Sequence, residues 1–419
     1  MKKLEKSVPV IRFKGFSEAW EQRKLNDIVK LENGYAFKST YFSDVPSKTI
    51  VLTPGNVRIG GGFKNGKGRY YNEISEFPHK FIFQPEDIFV TLTDLTPSAQ
   101  MLGYPAVVPN DGIKYLHNQR LGKLTDFKGD KFFLFQLLST NKYHKYIAAT
   151  AIGTTVKHSS IQKILQYDTS FPSFEEQKNI GIFFKQLDHT IALHQRKLDT
   201  LKLIKKGFLQ QMFPNSEEKV PRLRFADFDR EWEQCKLGEI SDKVIEKNKE
   251  SIYFETLTNS AEYGIISQRE FFNKDISNEK NLNGYYIVRE NDFVYNPRIS
   301  NYAPVGPIKR NKLGRIGIVS PLYYVFRTFN TNQSFLEYYF DGTVWHNFML
   351  LNGDSGARAD RFAIKDLVLK EMPIPYSTLH EQEKISSFLD EITIIINLHQ
   401  NKLKKLSSLK KAYLQNMFI

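Results

Sequence analysis

Apolar residues recur along two stretches of the chain at a spacing of four, three, four, three. The first stretch runs Ile180, Phe184, Leu187, Ile191, His194, Leu198, Leu201, Lys205, Phe208, Met212. The second runs Ile385, Leu389, Ile392, Ile396, His399, Leu403, Leu406, Lys410, Tyr413, Met417. This is a heptad seam held over several turns, and it predicts two helices of about 35–40 residues, roughly 55 Å each at 1.5 Å per residue. Pro172 and Ser173 stand where a start signal belongs, Pro375 and Ser377 do the same for the second helix, and Pro214 closes the first. A single seam cannot be buried in a lone helix. Two equal seams in one chain most simply pack on each other, antiparallel because a large domain lies between them. His194 and His399 fall on the seams and read as partly buried polar residues that fix register, the alternative being a pH sensor or a metal site.

Elsewhere the pattern changes. "KTIVLTPGNV", "FIFQPEDIFVTLT", "GYYIVRENDFVYN" and "IGIVSPLYYVFRT" are β-branched and aromatic runs broken by Gly, Pro, Asn and Asp, which predicts short strands. Short helices are expected at "KFFLFQLLST" and "QSFLEYYFDGTVWHNFML". The expected fold class is α+β: two globular domains related by a pseudo-twofold, each followed by a long helix, with the two helices forming an antiparallel coiled coil.

The chain also repeats itself. Val8–Ile28 and Val220–Ile240 are related by a constant register of 212, with eleven of twenty-one positions identical. The long helices are related by a register of 205, which matches Gln177 with Gln382, His194 with His399 and Met212 with Met417. Between them lie two stretches that share only a frame. "PEDIFV" (Pro85–Val90) answers "ENDFVY" (Glu290–Tyr295), and "GTTVKHSSIQKI" loosely answers "GARADRFAIKDL". The order is short repeat, variable region, long repeat, and then the same again. This is a duplication of two units and not a solenoid, which would show periods of 20–50 residues. The expected segments are a first domain over 1–172, a first long helix over 173–213, a second domain over 214–375 and a second long helix over 376–419. Trp20 and Trp232, in the short repeats, read as core or docking residues.

Charge narrows the function. The 419 residues carry a net charge of +13, with 41% hydrophobic and 14% aromatic residues. A surplus this large favours a polyanionic partner. The lone cysteine, Cys235, excludes an internal disulfide and a cysteine-rich zinc site, and its counterpart in the first copy is Arg23. The nine histidines form no paired metal spacing. No run of 18 apolar residues occurs and the start lacks an apolar signal region, so a cytoplasmic protein without a membrane partner is expected.

Candidate chemistry is sparse. "GGFKNGKG" (Gly61–Gly68) falls one residue short of a P-loop, because Gly68 stands where a Ser or Thr should bind Mg²⁺. A basic, glycine-rich loop that touches phosphates fits better. "YNPRIS" (Tyr295–Ser300) is similar to the Asn-Pro-Pro-aromatic motif of adenine methyltransferases, but Arg298 replaces the second proline and no cofactor loop accompanies it. No catalytic and no metal-binding residue is expected in this chain. Arg, Lys, Asn and Gln lie in loops beside aromatics in both variable regions, and these are the side chains that read base edges. The candidate DNA-binding residues are Asn56, Arg58, Lys64, Lys67, Arg69, Asn118, Gln119, Arg120 and Lys157 in the first domain. In the second they are Arg298, Lys309, Arg310, Lys312, Arg315, Arg358 and Arg361. Any one such cluster is more often a solvated surface than a reader; their recurrence in both regions is what raises the DNA reading.

Arg12, Phe13, Phe16 and Trp20, repeated as Arg224, Phe225, Phe228 and Trp232, together with the "EEQ" and "HEQ" helix starts and the "LQxMF" ends, carry a resemblance over the whole chain. The chain resembles the specificity subunits of type I restriction–modification systems. That resemblance implies two target-recognition domains, each reading one half of a bipartite site in double-stranded DNA, with paired helices that set the unread gap. It implies a non-catalytic subunit that recruits two methyltransferase (modification) subunits and two motor/endonuclease (restriction) subunits. The cofactors would belong to those partners: S-adenosylmethionine for adenine-N6 methylation, and ATP with Mg²⁺ for translocation and cleavage. The alternative is a standalone sequence-specific regulator, which would explain charge and duplication but would more usually dimerise than fuse two dissimilar readers.

Overall fold

Each long helix begins in one structural unit and ends in the other. In the computed structural model, which describes residues 8–72, 74, 77–215, 217–272, 279–354 and 360–419, the first unit is Met1–Gln195 with Asn401–Ile419, and the second is Arg196–Gln400. The helices span Phe174–Gln211 and Leu379–Asn416, 38 residues each. Every seam position named above is buried or half-buried.

The first unit is built on a four-stranded antiparallel sheet in the order Lys30–Asn33, Leu121–Thr125, Ile88–Thr91, Pro105–Val107. Side chains alternate faces along a strand, and here both faces are buried. Ile88 and Val90 enter the core beneath the helices, while Phe89 enters a second cluster with Leu52, Val57 and Tyr115 on the opposite face. A second sheet pairs Phe42–Ser43, Arg69–Tyr71, Thr49–Val51 and Lys114–Leu116, the last two in parallel. The helix Lys131–Leu138 falls on the predicted "KFFLFQLLST" and is capped by Asp130, which accepts from Phe133 N. Within this unit the two long helices run antiparallel: Phe183 meets Tyr413 with ring centroids 5.0 Å apart, and Asp188 meets Lys410 at 2.6 Å.

The second unit repeats the plan. Its sheet has the order Ser241–Lys243, Tyr324–Thr328, Phe293–Tyr295, Ile308–Arg310. Phe293, Tyr295, Tyr324 and Phe326 enter the helical core, while Val294 and Val325 face a small cluster of their own. The "PEDIFV"/"ENDFVY" match marks one turn in two places: Glu86 and Asn291 both have φ of 67°, and Asp87 and Asp292 accept from the backbone N of Gln84 and Arg289, each at 2.7 Å. Where the first unit has a second four-stranded sheet, the second has two antiparallel pairs: the hairpin Leu257–Ser260 with Gly264–Ser267, and Tyr286–Val288 with Gly317–Val319. Phe208 of the first long helix meets Phe388 of the second at 4.9 Å. The expected cap Ser377 is corrected: Thr378 makes the bonds, its carbonyl to Gln382 N at 3.0 Å and its hydroxyl oxygen to Glu381 N at 3.3 Å. Thr378 is also the position that the 205 register matches to Ser173.

Candidate nucleic-acid interface

The surfaces that could meet DNA are carried on a joint made by the repeated motifs. In the first unit Arg12 grips Glu176, in the first turn of the first long helix, through two hydrogen bonds of 2.7 Å. In the second, Arg224 grips Glu381 at 2.7 and 2.9 Å. Hydrogen bonding to the carboxylate raises both guanidinium pKa values above their ordinary range. The neighbouring residue also works alike: Gln177 accepts from Asp130 N and donates to Pro172 O, while Gln382 accepts from Asn332 N and donates to Ser377 O. Asp130 and Asn332 are the N-caps of helices Lys131–Leu138 and Gln333–Asp341. The arms also close onto helix ends, Ile11 N on Asn416 O and Leu223 N on Gln211 O, both at 2.9 Å. The "MF" ends bury Met417 and Phe418 in the first core and Met212 and Phe213 in the second. Trp20 and Trp232 are core residues, as expected.

On the first unit, the glycine-rich loop leaves strand Thr49–Val51, and "HNQR" leaves strand Lys114–Leu116. These strands are parallel neighbours, so both segments emerge at the same edge. Arg58, Lys64, Lys67, Gln119 and Arg120 are exposed there and Asn118 is half-exposed. Arg58, Lys64 and Lys67 have no acidic partner within salt-bridge distance among the described residues. Arg69 lies over the Phe42 ring at 4.0 Å. Asn56 departs from its expected role. It is 1% exposed, its Oδ1 accepts from Thr53 N at 2.9 Å, and its Nδ2 donates to Lys64 O at 3.1 Å. It closes the loop from beneath and has no free edge to offer a base. Gly61 and Gly62 have φ of 92° and 106°, a region that L side chains avoid, and Gly62 N is tied to Pro105 O. After Gly68 the chain enters strand Arg69–Tyr71 and not a helix, which removes the phosphate-binding geometry of a P-loop. Asn118 accepts from Arg120 N at 2.9 Å and so shapes its own turn. Lys157 is half-buried in a short strand opposite Asp94.

On the second unit, the densest basic stretch is largely spent on ion pairs. Lys309 pairs with Asp341, Arg310 and Lys312 with Glu337, and Arg315 with Glu255 through two bonds of 2.7 Å. The Arg310 side chain is only 9% exposed. This corrects the sequence expectation for Arg310. Strand Ile308–Arg310 lies against helix Gln333–Asp341, whose acids Glu337 and Asp341 are one turn apart and face it. That i, i+4 acidic spacing was visible in the sequence. Arg298 and Arg361 instead stand together, bridged through their backbones, with Arg298 at 3.6 Å from Asp360. Arg358 lies outside the described residues. Sequence reasoning missed Tyr263 and Tyr302, exposed aromatics beside the arginine pair; the one signal was a tyrosine set among turn residues in "NSAEYG" and "SNYAPVG".

Among the described residues no group of His, Cys, Asp and Glu is arranged to hold a metal ion, and no helix is long and apolar enough to cross a membrane.

Residues 17–203 match the family model described as the type I restriction modification DNA specificity domain. The type I restriction enzyme MjaVIII specificity subunit of Methanocaldococcus jannaschii is 24% identical over 213 residues, 50% of this chain and 48% of the relative. The EcoBI specificity subunit of Escherichia coli is 24% identical over 195 residues, 46% of this chain and 37% of the relative. The matches thus span about half the length of the first relative and less of the second. The crystal structure of a type I restriction-modification system S subunit from M. genitalium has the same fold, with a TM-score of 0.60 at 12% identity, covering 98% of this chain and 99% of that one.

Proposed function

We propose that this chain is a specificity subunit of a type I restriction–modification system and serves as the non-catalytic DNA-reading member of the complex. Each unit reads one half of a bipartite, asymmetric site in double-stranded DNA. The long helices, continuous from one unit into the other, set the gap between the halves and dock two modification subunits; two restriction subunits complete the assembly. S-adenosylmethionine, ATP and Mg²⁺ act in those partners.

The observation that carries this reading is the contrast between joint and face. Both units repeat the Arg–Glu grip, the Gln clamp and the Met-Phe plug at matching positions; these buried contacts hold arm and helix alike in each unit, which supports equivalent docking of two identical partners on the surfaces they carry. The loops above them differ in length, pairing and charge, as two different half-sites require. Exposed cations at the edge of the first unit suit phosphate contacts, which dominate affinity and position the reader.

The test is methylation-aware sequencing of DNA from cells that express this chain with its modification subunit. A bipartite motif with a fixed gap is expected. Methylation without a motif, or a motif unchanged when the loops of one unit are exchanged for those of another family member, would overturn the reading.

A further inference from the structure

Asn296-Pro297-Arg298, the stretch that resembled a methyltransferase motif, lines a cavity of about 550 Å³ in the second unit. That volume is in the usual range for small-ligand pockets. Two tyrosines stand in its lining with their rings largely in solvent: Tyr302 is 77% exposed and Tyr263 63%. Clustered exposed aromatics mark binding surfaces more than isolated ones do. Tyr302 is displayed by a two-residue turn, closed by Ser300 N to Ala303 O and Ala303 N to Ser300 O, both 3.0 Å. Tyr263 is held edge-on by Phe271 at 6.1 Å.

Charge and hydrogen-bonding groups complete the lining. Arg298 and Arg361 supply the cations of the lining, beside one lining acid, Glu262; Asp360 pairs with Arg298 at 3.6 Å, which leaves Arg361 as the cation without a carboxylate in salt-bridge reach among the described residues. The floor is made of amides. Asn259 is 2% exposed, donates to Val294 O and Pro307 O, and receives Asn296 Nδ2 on its backbone oxygen at 2.8 Å. Asn259 Oδ1 and Gln268 Oε1 are buried and have no hydrogen-bond partner among the described residues. Buried acceptors of this kind are rare without a role. Stacking faces, a cationic edge and unspent acceptors together match the chemistry of one nucleotide, as aromatic and amide groups do in pockets that take an unstacked base.

We propose that this cavity binds a single nucleotide, its base stacked on the tyrosines, its phosphate on Arg298 and Arg361, and its base edge over the amide floor. Two sources supply that chemistry. One is a base turned out of the bound duplex, and this source rests on the DNA-reading function proposed above. The other is a free nucleotide, which does not.

The experiment has an arm for each source, both with the full-length chain. In the first, each of the four deoxynucleoside 5′-monophosphates is titrated in and followed by saturation-transfer NMR. In the second, duplexes carrying the methylated motif are probed at every position, thymines by permanganate, purines by substitution with 2-aminopurine and cytosines by substitution with pyrrolocytosine. The expected result is one position, in one half-site, that becomes unstacked on binding. Tyr302→Ala should weaken binding of that duplex about tenfold, the usual loss for one stacked ring, and Tyr302→Phe should restore it. Signal with the monophosphates alone makes the pocket one for a free nucleotide. A duplex bound with every base stacked, and no monophosphate bound, overturns the pocket and leaves the DNA-reading function standing. Monophosphate binding without any duplex binding does the reverse, and silence in both arms overturns both.

Discussion

At their joints with the long helices the two units match group for group; on their faces they do not. Phe13 meets Phe183 at 5.9 Å, and Phe225 meets Phe388 at 6.0 Å. One turn deeper the match loosens. In the first unit Asp188 takes both Gln136 and Lys410, at 3.0 and 2.6 Å. In the second, Tyr338 donates to Asp390 at 2.6 Å, while Lys205, the register partner of Lys410, lies over the Tyr338 ring at 4.8 Å. Burial lowers the pKa of Lys205. Among the described residues the faces differ: exposed lysines on a glycine-rich loop in the first unit, a strap of ion pairs and an aromatic cavity in the second. The gradient from joint to face teaches where each constraint acts. Groups that meet the helices are held in common, and those that meet solvent are free to diverge.

The joint offers the largest effect. Glu381 is buried, paired with Arg224, and also accepts from Trp232 Nε1 at 3.1 Å. Glu176 has the matching partner Arg12, but Trp20 Nε1 has no hydrogen-bond partner among the described residues. Removing one member of a buried pair leaves the other charge uncompensated, at about 3–5 kcal/mol. Glu176→Ala and Glu381→Ala should both lower stability by that order, and Glu381→Ala by about 1 kcal/mol more for the lost indole bond. Chemical denaturation of each variant measures the pair; equal losses would show that the indole bond carries no weight.

Acid should separate the units next. His117, in the first unit, is buried, and its pKa is pushed down from the ordinary 6.5 to about 4; burial is the cause, opposed by its bond to Leu121 O at 2.9 Å. A histidine held below its unfolded value binds its proton more readily in the unfolded chain. Its contribution to stability is whole above pH 6.5 and is lost as pH falls from there through about 4. The loss is on the order of 3 kcal/mol. His144, in the same unit, is lowered by burial as well, as is His346 in the second. Hydrogen exchange at pH 7 and pH 4.5 should show the first unit loosening more. His117→Gln should remove most of that difference, and a pH response that survives the substitution would assign it to other groups.

Much of the frame was legible before the structure. The heptad spacing located both helices, and the 212 and 205 registers located the arm, the helix start and the plug. What those residues do to one another was not legible, because Arg12 and Glu176 are far apart in sequence and periodicity says nothing of such contacts. The candidate sites were less legible still. Composition counts cations but not their partners, so Arg310, Lys309 and Lys312 looked like Lys64 and Lys67. Asn56 looked like a base reader because a loop asparagine that bonds its own backbone has the same letter as one that faces DNA. Tyr302 was passed over because a tyrosine displayed on a tight turn has no periodicity to betray it.

The smallest effect sharpens the contrast between the two basic stretches. Arg58, Lys64 and Lys67 are exposed and without acidic partners in salt-bridge reach among the described residues. Lys309, Lys312 and Arg315 each have one, at Asp341, Glu337 and Glu255. A cation bound to a phosphate releases counterions, and each such contact adds about 0.9 to the slope of log affinity against log salt. A cation already held by a carboxylate has less to offer and must first give up its partner. Replacing Arg58, Lys64 and Lys67 together with Ala should therefore weaken binding to the cognate duplex roughly tenfold or more at moderate salt, and lower the salt slope by about three. Replacing Lys309, Lys312 and Arg315 should change affinity little and leave the slope within about one of the parent. Its cost should appear as a small loss of stability, since partly exposed pairs contribute about 0–1 kcal/mol each. Fluorescence anisotropy across a salt series reads both variants. If the second triple lowers the slope as far as the first, its ion pairs open on DNA, and the face of the second unit includes the strap as well as the cavity.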